Sequence, residues 1–97
     1  MLVSITVIIL SLLLHISTTG WALIFLAIAL VWIAEFLNTA LEAVVDLASP
    51  QKHDLARVGK DVGAAAVLIA AGCAAMVGLL ILGPPLWQKL QPLFPHP

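Results

Sequence analysis

From Val62 to Leu82 the chain runs for twenty-one residues without a charged or strongly polar side chain. As an α-helix this stretch reaches about 31 Å, the thickness of a bilayer's hydrocarbon core. Backbone polar groups in hydrocarbon must satisfy one another, so a lone apolar run of this length can only be helical. A second apolar stretch starts at Trp21, runs to Ala34, and keeps helical character to about Leu47. A third, Leu2–Leu14, has thirteen residues and reaches about 20 Å, short of a ~30 Å core. Composition leaves no soluble reading. The chain is 63% hydrophobic and 9% charged, against about 45–50% apolar and 25% charged in soluble domains. A soluble domain of this size buries only about 60–70% of its surface. The sequence therefore predicts an all-α integral membrane protein with three transmembrane helices, the first of them short. Net charge is −1 and no basic cluster is present, which excludes a nucleic-acid binder. The single cysteine, Cys73, rules out an intrachain disulfide and sits as a structural thiol among small residues.

Breaks in the apolar pattern set the organisation. Ser17-Thr18-Thr19-Gly20 is a polar turn whose hydroxyls can cap a helix starting near Trp21. Pro50 ends the second helix, and the loop 48–60 carries Lys52, Arg57 and Lys60, three of the four basic residues. By the positive-inside rule that loop is cytoplasmic, so Met1 begins inside and the tail ends outside. Lys60-Asp61 is expected to begin the third helix at the cytoplasmic level, where Asp61 can act as a first-turn capping residue. The first segment is a poor signal peptide, with no Lys or Arg before position 52 and no small-residue cleavage site in "HISTTG". Its abrupt start creates the expectation that further residues precede Met1. Residues 84–97 form a Pro-rich tail that is expected not to continue the helix, following a membrane domain over 1–83. Within it Trp87 and Phe94 suit an interfacial anchor, and His96 is a solvated terminal residue. The third helix is rich in small residues, with Gly59-x-x-x-Gly63 and Ala74-x-x-x-Gly78 spacings that allow close helix approach. Three helices make a thin bundle, and a homo-oligomer would give its polar groups a protein-lined setting.

Those polar groups lie in "AEFLNTALEAVVD", residues 34–46. At about 100° per residue, Glu35, Asn38, Glu42 and Asp46 fall at roughly 0°, 300°, 340° and 20°, one stripe about 16 Å long. A charged residue near the bilayer centre costs roughly 2.5–3.5 kcal/mol, less toward the interface. A solvated helix face accounts for Asp46 and partly for Glu42. It does not account for Glu35, which has apolar residues on both sides. Chemistry accounts for all three. Carboxylates are hard ligands for Mg²⁺, which usually takes one or two of them together with substrate phosphates. A glutamate deeper in the apolar zone suits a general base for a hydroxyl presented from the lipid. Lys60, at the loop end, can meet a phosphate as a mobile point charge. The layout fits phosphoryl transfer from a soluble nucleotide to a lipid alcohol at the membrane surface. No Walker-type or kinase Gly-rich loop is present, nor a Ser-His-Asp or zinc arrangement.

"AEFLNTALEAVVD" followed by "GKDVGAAAVLIAA" strongly resembles the small prokaryotic diacylglycerol kinase family, which includes the undecaprenol kinases. Glu35, Asn38, Thr39, Ala40, Glu42, Asp46, His53, Lys60 and Asp61 each match an element of the family motif. The resemblance covers residues 21–82. It implies a trimeric helical bundle of three-helix protomers in the bacterial cytoplasmic membrane, with active sites shared between neighbours and facing the cytoplasm. It implies ATP as co-substrate, Mg²⁺ as cofactor and a membrane lipid as acceptor. Glu35 would be the catalytic base, and Glu42 the ligand of Mg²⁺ and nucleotide. Asn38 and Asp46 would be polar partners on the lipid-substrate side, and Lys60 and Asp61 a phosphate-side pair. His53 would lie against the nucleotide, flanked by Gln51 and Lys52 as further nucleotide-binding positions. Thr39, Leu47 and Ser49-Pro50 look more like the undecaprenol-kinase branch than the diacylglycerol-kinase one. Relatives usually begin with a basic amphipathic surface helix that adds a second metal-binding glutamate. Here no acidic residue precedes Glu35, so that helix is expected before Met1.

Two other classes fit parts of the pattern. An ion-conducting proteolipid would use one mid-membrane carboxylate, without a stripe leading to Lys-Asp. A catalytically impaired family member serving as a membrane structural or interaction subunit would keep the motif and lose the transfer.

Overall fold

The structure, a computed structural model, describes residues 1–49 and 53–94. Gln51, Lys52 and His96 lie outside the described residues. The described chain is helical throughout: α1 Leu2–Leu13, α2 Thr18–Ala48, α3 Asp54–Leu90, and a short 3₁₀ turn, Gln91–Leu93. The whole is a rod of 64 × 30 × 19 Å.

α1 is apolar except for three hydroxyls, Ser4, Thr6 and Ser11, the last two of which bond back to their own helix. Thr6 Oγ1 donates to the Leu2 carbonyl and Ser11 Oγ to the Val7 carbonyl, each at 2.8 Å, which lets them sit in an apolar environment. Twelve residues reach about 18 Å, so α1 alone falls short of a bilayer core. The chain then reverses through His15, at φ 51° the single non-glycine with positive φ among the described residues.

α2 begins three residues before the Trp21 expected from its apolar pattern. Ser17, with extended backbone, accepts a hydrogen bond from the Gly20 N–H at 3.1 Å. One of the donors orphaned at the helix start is thereby satisfied. Ser17→Ala is expected to lower stability by about 1 kcal/mol, read as an earlier midpoint in detergent-denaturation titrations of the helical signal; an unchanged midpoint would remove the cap from the account.

α2 and α3 form an antiparallel pair in steady register. A Cβ on Gly20 would lie 3.3 Å from Ile81 Cγ2, and a Cβ on Gly63 would overlap Asn38 Oδ1. Moving eighteen residues up α2, from Gly20 to Asn38, moves eighteen back along α3. That is about 27 Å of side-by-side packing. α1 lies alongside. Trp32 Nε1 on α2 donates to Ser4 Oγ at 3.3 Å, and Lys89 Nζ on α3 donates to the Leu13 carbonyl at 3.1 Å. Lys89 thus supplies a cation to the carbonyl end of α1, where the helix dipole favours one.

α3 departs from the sequence reading at both ends. It starts at Asp54, not at Lys60-Asp61, because His53 caps it: the His53 Nδ1 accepts from the Leu55 N–H at 3.1 Å. Asp61 is therefore two turns inside the helix and caps nothing. At the other end the helix continues through Pro84 and Pro85 to Leu90, where a non-helical tail is expected from composition. Two local facts permit it. The residue before Pro84 is Gly83, which has no Cβ to meet the proline ring. Beyond the prolines, Lys89 holds α1 and the Trp87 and Phe94 rings stack at 5.9 Å. Proline is tolerated in membrane helices when neighbouring groups compensate in this way.

Among the described residues four hydrophobic side chains are buried, Ile24, Ala27, Ala70 and Leu82. Large apolar residues such as Leu26, Phe36, Leu68 and Leu79 are each more than 60% exposed. α2 and α3 are both long and apolar enough to cross a membrane, and an exposed apolar surface of this kind belongs against lipid or another chain.

Candidate functional site

The stripe emerges on α2 as the sequence places it, but α3 sorts its members into three environments. Glu35 is exposed on the apolar flank, within the turn spanned by the Trp32–Phe36 ring pair, whose centroids lie 5.5 Å apart. Asn38 and Glu42 are half-buried, and Asn38 Nδ2 donates to Glu42 Oε1 at 3.4 Å. The spacing of four residues puts these two side chains one above the other. Asp46, nearest the loop, forms an ion pair with Lys60 of α3.

The Asp46–Lys60 pair fixes the level at which the two helices present charge. Both side chains remain substantially exposed, 64% and 40%, so the pair is weakly stabilising and its lysine stays accessible. Lys60 precedes the apolar stretch that begins at Val62. Its pKa is raised above the ordinary lysine value, first by the hydrogen bond to Asp46. Partial desolvation opposes this, and the fields of Asp46 and Glu42 add to it. The result is an ammonium whose charged form is favoured by two nearby carboxylates. Arg57 pairs with Asp54 at 3.8 Å across one turn of α3, with both side chains well exposed.

The structure thus joins Asn38 to Glu42 and Asp46 to Lys60. Glu35 and Asp61 make no side-chain hydrogen bond or ion pair among the described residues. His53 faces its own helix start rather than the carboxylate stripe. Gln51 and Lys52 fall outside the described residues.

Below Glu42, between α2 and α3, runs an open groove of about 490 Å³. It is lined by apolar residues, Leu37, Leu41 and Ala66 among them, and Asn38 is its one polar amide. Asn38 Oδ1 is buried with no hydrogen-bond partner. Sequence reasoning singled out Gly63 for helix approach only. The structure sets it against that amide oxygen, a relation whose one sequence signal is the pairing of a small residue with a polar one across an antiparallel hairpin.

Among the described residues no three His, Cys, Asp or Glu side chains converge as a metal centre. The donor set is a half-site: one carboxylate, Glu42, braced by an amide. Mg²⁺ bound together with nucleotide phosphates needs only one or two protein carboxylates, so the residues fit that use and not a self-sufficient metal cage.

Known proteins resemble this chain in sequence. A family model described as prokaryotic diacylglycerol kinase matches residues 1–82. A diacylglycerol kinase of Synechocystis is 51% identical over 75 residues, covering 76% of this chain and 43% of that protein. The undecaprenol kinase of Bacillus subtilis is 42% identical over 74 residues, covering 76% of this chain and 60% of that protein. The diacylglycerol kinase of Escherichia coli K12 is 45% identical over 56 residues, 58% of this chain and 46% of that one. The chain spans about half the length of these relatives. No solved structure matches it.

Proposed function

The chain belongs to the prokaryotic diacylglycerol kinase family, and we propose that it transfers the γ-phosphate of ATP to the hydroxyl of a membrane lipid. The observation that carries this reading is the graded stripe on α2. An unpaired carboxylate lies on the apolar flank, an amide-braced carboxylate one level above it, and the Asp46–Lys60 pair at the loop. Lipid alcohol and nucleotide approach from opposite ends of that stripe.

In this mechanism Glu35 takes the proton of the lipid hydroxyl as its oxygen attacks the γ-phosphorus. The O–P bond forms, the bridge to the β-phosphate breaks, and its electron pair leaves with ADP. Glu35 suits the part because its carboxylate makes no bond that would compete for the proton. Lys60 meets the phosphates as a point charge, and Asp46 holds the ammonium at their level. Glu42, with Asn38 bracing one oxygen, would hold Mg²⁺. When bound, that ion neutralises the phosphate charge that develops during transfer. By the family motif, Gln51, Lys52, His53 and Asp61 are further nucleotide-binding positions. Asn38 and Asp46 thus act as polar partners within the site, one to Glu42 and the other to Lys60.

The same reading places the chain in the bacterial cytoplasmic membrane with the connection between α2 and α3 toward the cytoplasm, where Arg57 and Lys60 follow it. α1 is then a short third membrane segment of each protomer, and a homotrimer covers the exposed apolar faces. Glu35 supports the oligomer: a carboxylate facing hydrocarbon is costly, and a neighbouring protomer gives it a protein wall.

Membranes containing the chain, supplied with γ-labelled ATP and Mg²⁺ together with undecaprenol or a diacylglycerol, should yield a labelled organic-soluble lipid. The acceptor that is labelled names the branch. No labelled lipid with either acceptor would overturn the kinase reading and favour a structural subunit.

A further inference from the structure

Asn38 presents an anomaly: its carboxamide nitrogen has a partner, Glu42 Oε1, while its oxygen is buried with none. The carboxylate fixes which end of the amide points where, since an amide oxygen turned toward Glu42 would face another acceptor. The oxygen is thereby directed at α3, and the residue it meets there is Gly63. A Cβ on Gly63 would overlap Asn38 Oδ1, lie 3.0 Å from Leu41 Cδ2 and 3.4 Å from Asn38 Cγ. Leu41 crowds the same space from the side. Other α3 glycines impose no such condition. Gly59 would bring its nearest atom to 4.0 Å, and Gly72, Gly78 and Gly83 would meet nothing within 4 Å.

We propose that Gly63 is a positioning residue for Glu42, acting through Asn38: by lacking a side chain it keeps the space in which the Asn38 carboxamide must lie to hold the Glu42 carboxylate. The inference rests on the kinase reading for what Glu42 does, and on the geometry alone for what Gly63 does. With any larger residue at 63 the carboxamide is pushed out of the helix interface. Its N–H then leaves Oε1, and Glu42 loses the brace that orients its other oxygen. Loss of such an outer-sphere partner typically weakens metal affinity about 10–100-fold.

The test measures Mn²⁺ affinity by electron paramagnetic resonance, in the presence of a non-hydrolysable ATP analogue, for the chain in lipid bilayers. It compares wild type, Gly63→Ala, Asn38→Ala, the double variant, and Gly59→Ala. Gly63→Ala and Asn38→Ala should each weaken binding about tenfold or more, and the double variant should be no weaker than Asn38→Ala alone. Gly59→Ala should bind like wild type. Non-additivity of this kind identifies two residues acting as one, whereas a general packing role for Gly63 would add its loss to that of Asn38. The idea fails if Gly63→Ala binds like wild type, or if the double variant loses a further tenfold. Should Gly63→Ala not fold, the double variant decides: in it the carboxamide is gone, so it should fold and match Asn38→Ala, and its failure to fold overturns the proposal. If wild type binds neither metal nor nucleotide, the kinase reading itself falls, and this role for Gly63 with it.

Discussion

Glu35→Gln should insert, fold and associate like the wild type and lose its lipid phosphorylation, with turnover falling about 10²–10⁴-fold. The substitution keeps the size and shape of the side chain and removes its capacity to take a proton. Glu35 is exposed on an apolar flank and holds no partner, so no neighbour is left unpaired when its charge goes. A neutral amide is also cheaper than a carboxylate against hydrocarbon. The midpoint of detergent denaturation should therefore stay level or rise while activity disappears, a combination that misfolding does not produce. The KM for ATP should change by less than about twofold, because a residue acting only on the acceptor's proton does not bind the nucleotide. Glu35→Asp retains a base one methylene shorter and should fall between the two. Single-turnover transfer from labelled ATP checks the series. Retention of more than about a tenth of wild-type turnover by the glutamine variant would remove Glu35 as the general base.

The features legible in the sequence were those carried by one helix alone. The stripe on α2 follows from a spacing of three, four and four residues, and the Ser17 cap from a hydroxyl before an apolar run. Features that depend on two helices were partly hidden. Lys60 reads as a free phosphate-seeking charge in the sequence, and in the fold Asp46 holds it. Asp61 reads as a first-turn residue only if the helix begins at Lys60. His53 moves that start back, because an imidazole nitrogen accepts the Leu55 N–H as well as a hydroxyl would. Pro84-Pro85 reads as a stop from local rules, yet contacts made across seventy-six residues, Lys89 to the Leu13 carbonyl, favour continuing. Gly63 is the clearest instance. A small-residue spacing marks close approach, and nothing in it names the atom that approaches.

Glu42→Gln is the second large effect, and it separates charge from geometry. The glutamine carbonyl can still accept the Asn38 N–H, so the brace seen between Nδ2 and Oε1 survives, while the negative charge does not. No three His, Cys, Asp or Glu side chains converge among the described residues, so a cation at Glu42 draws most of its shell from groups beyond these side chains, nucleotide phosphates and water among them. Two consequences follow for the wild type. Divalent-metal affinity should depend strongly on nucleotide, and nucleotide affinity should depend equally strongly on metal, since coupling free energies are reciprocal. Glu42→Gln should weaken nucleotide-dependent metal binding about 10–100-fold and carry turnover down with it, leaving denaturation midpoints near wild type. Glu42→Ala removes the acceptor as well, frees the Asn38 amide, and should be worse in stability while no worse in metal binding. Titrating Mn²⁺ with and without a non-hydrolysable ATP analogue reads the coupled affinities, labelled-ATP transfer reads turnover, and detergent denaturation reads the midpoints. Metal binding in Glu42→Gln that matches wild type, or wild-type binding indifferent to nucleotide, would place the cation elsewhere and leave Glu42 a structural partner of Asn38.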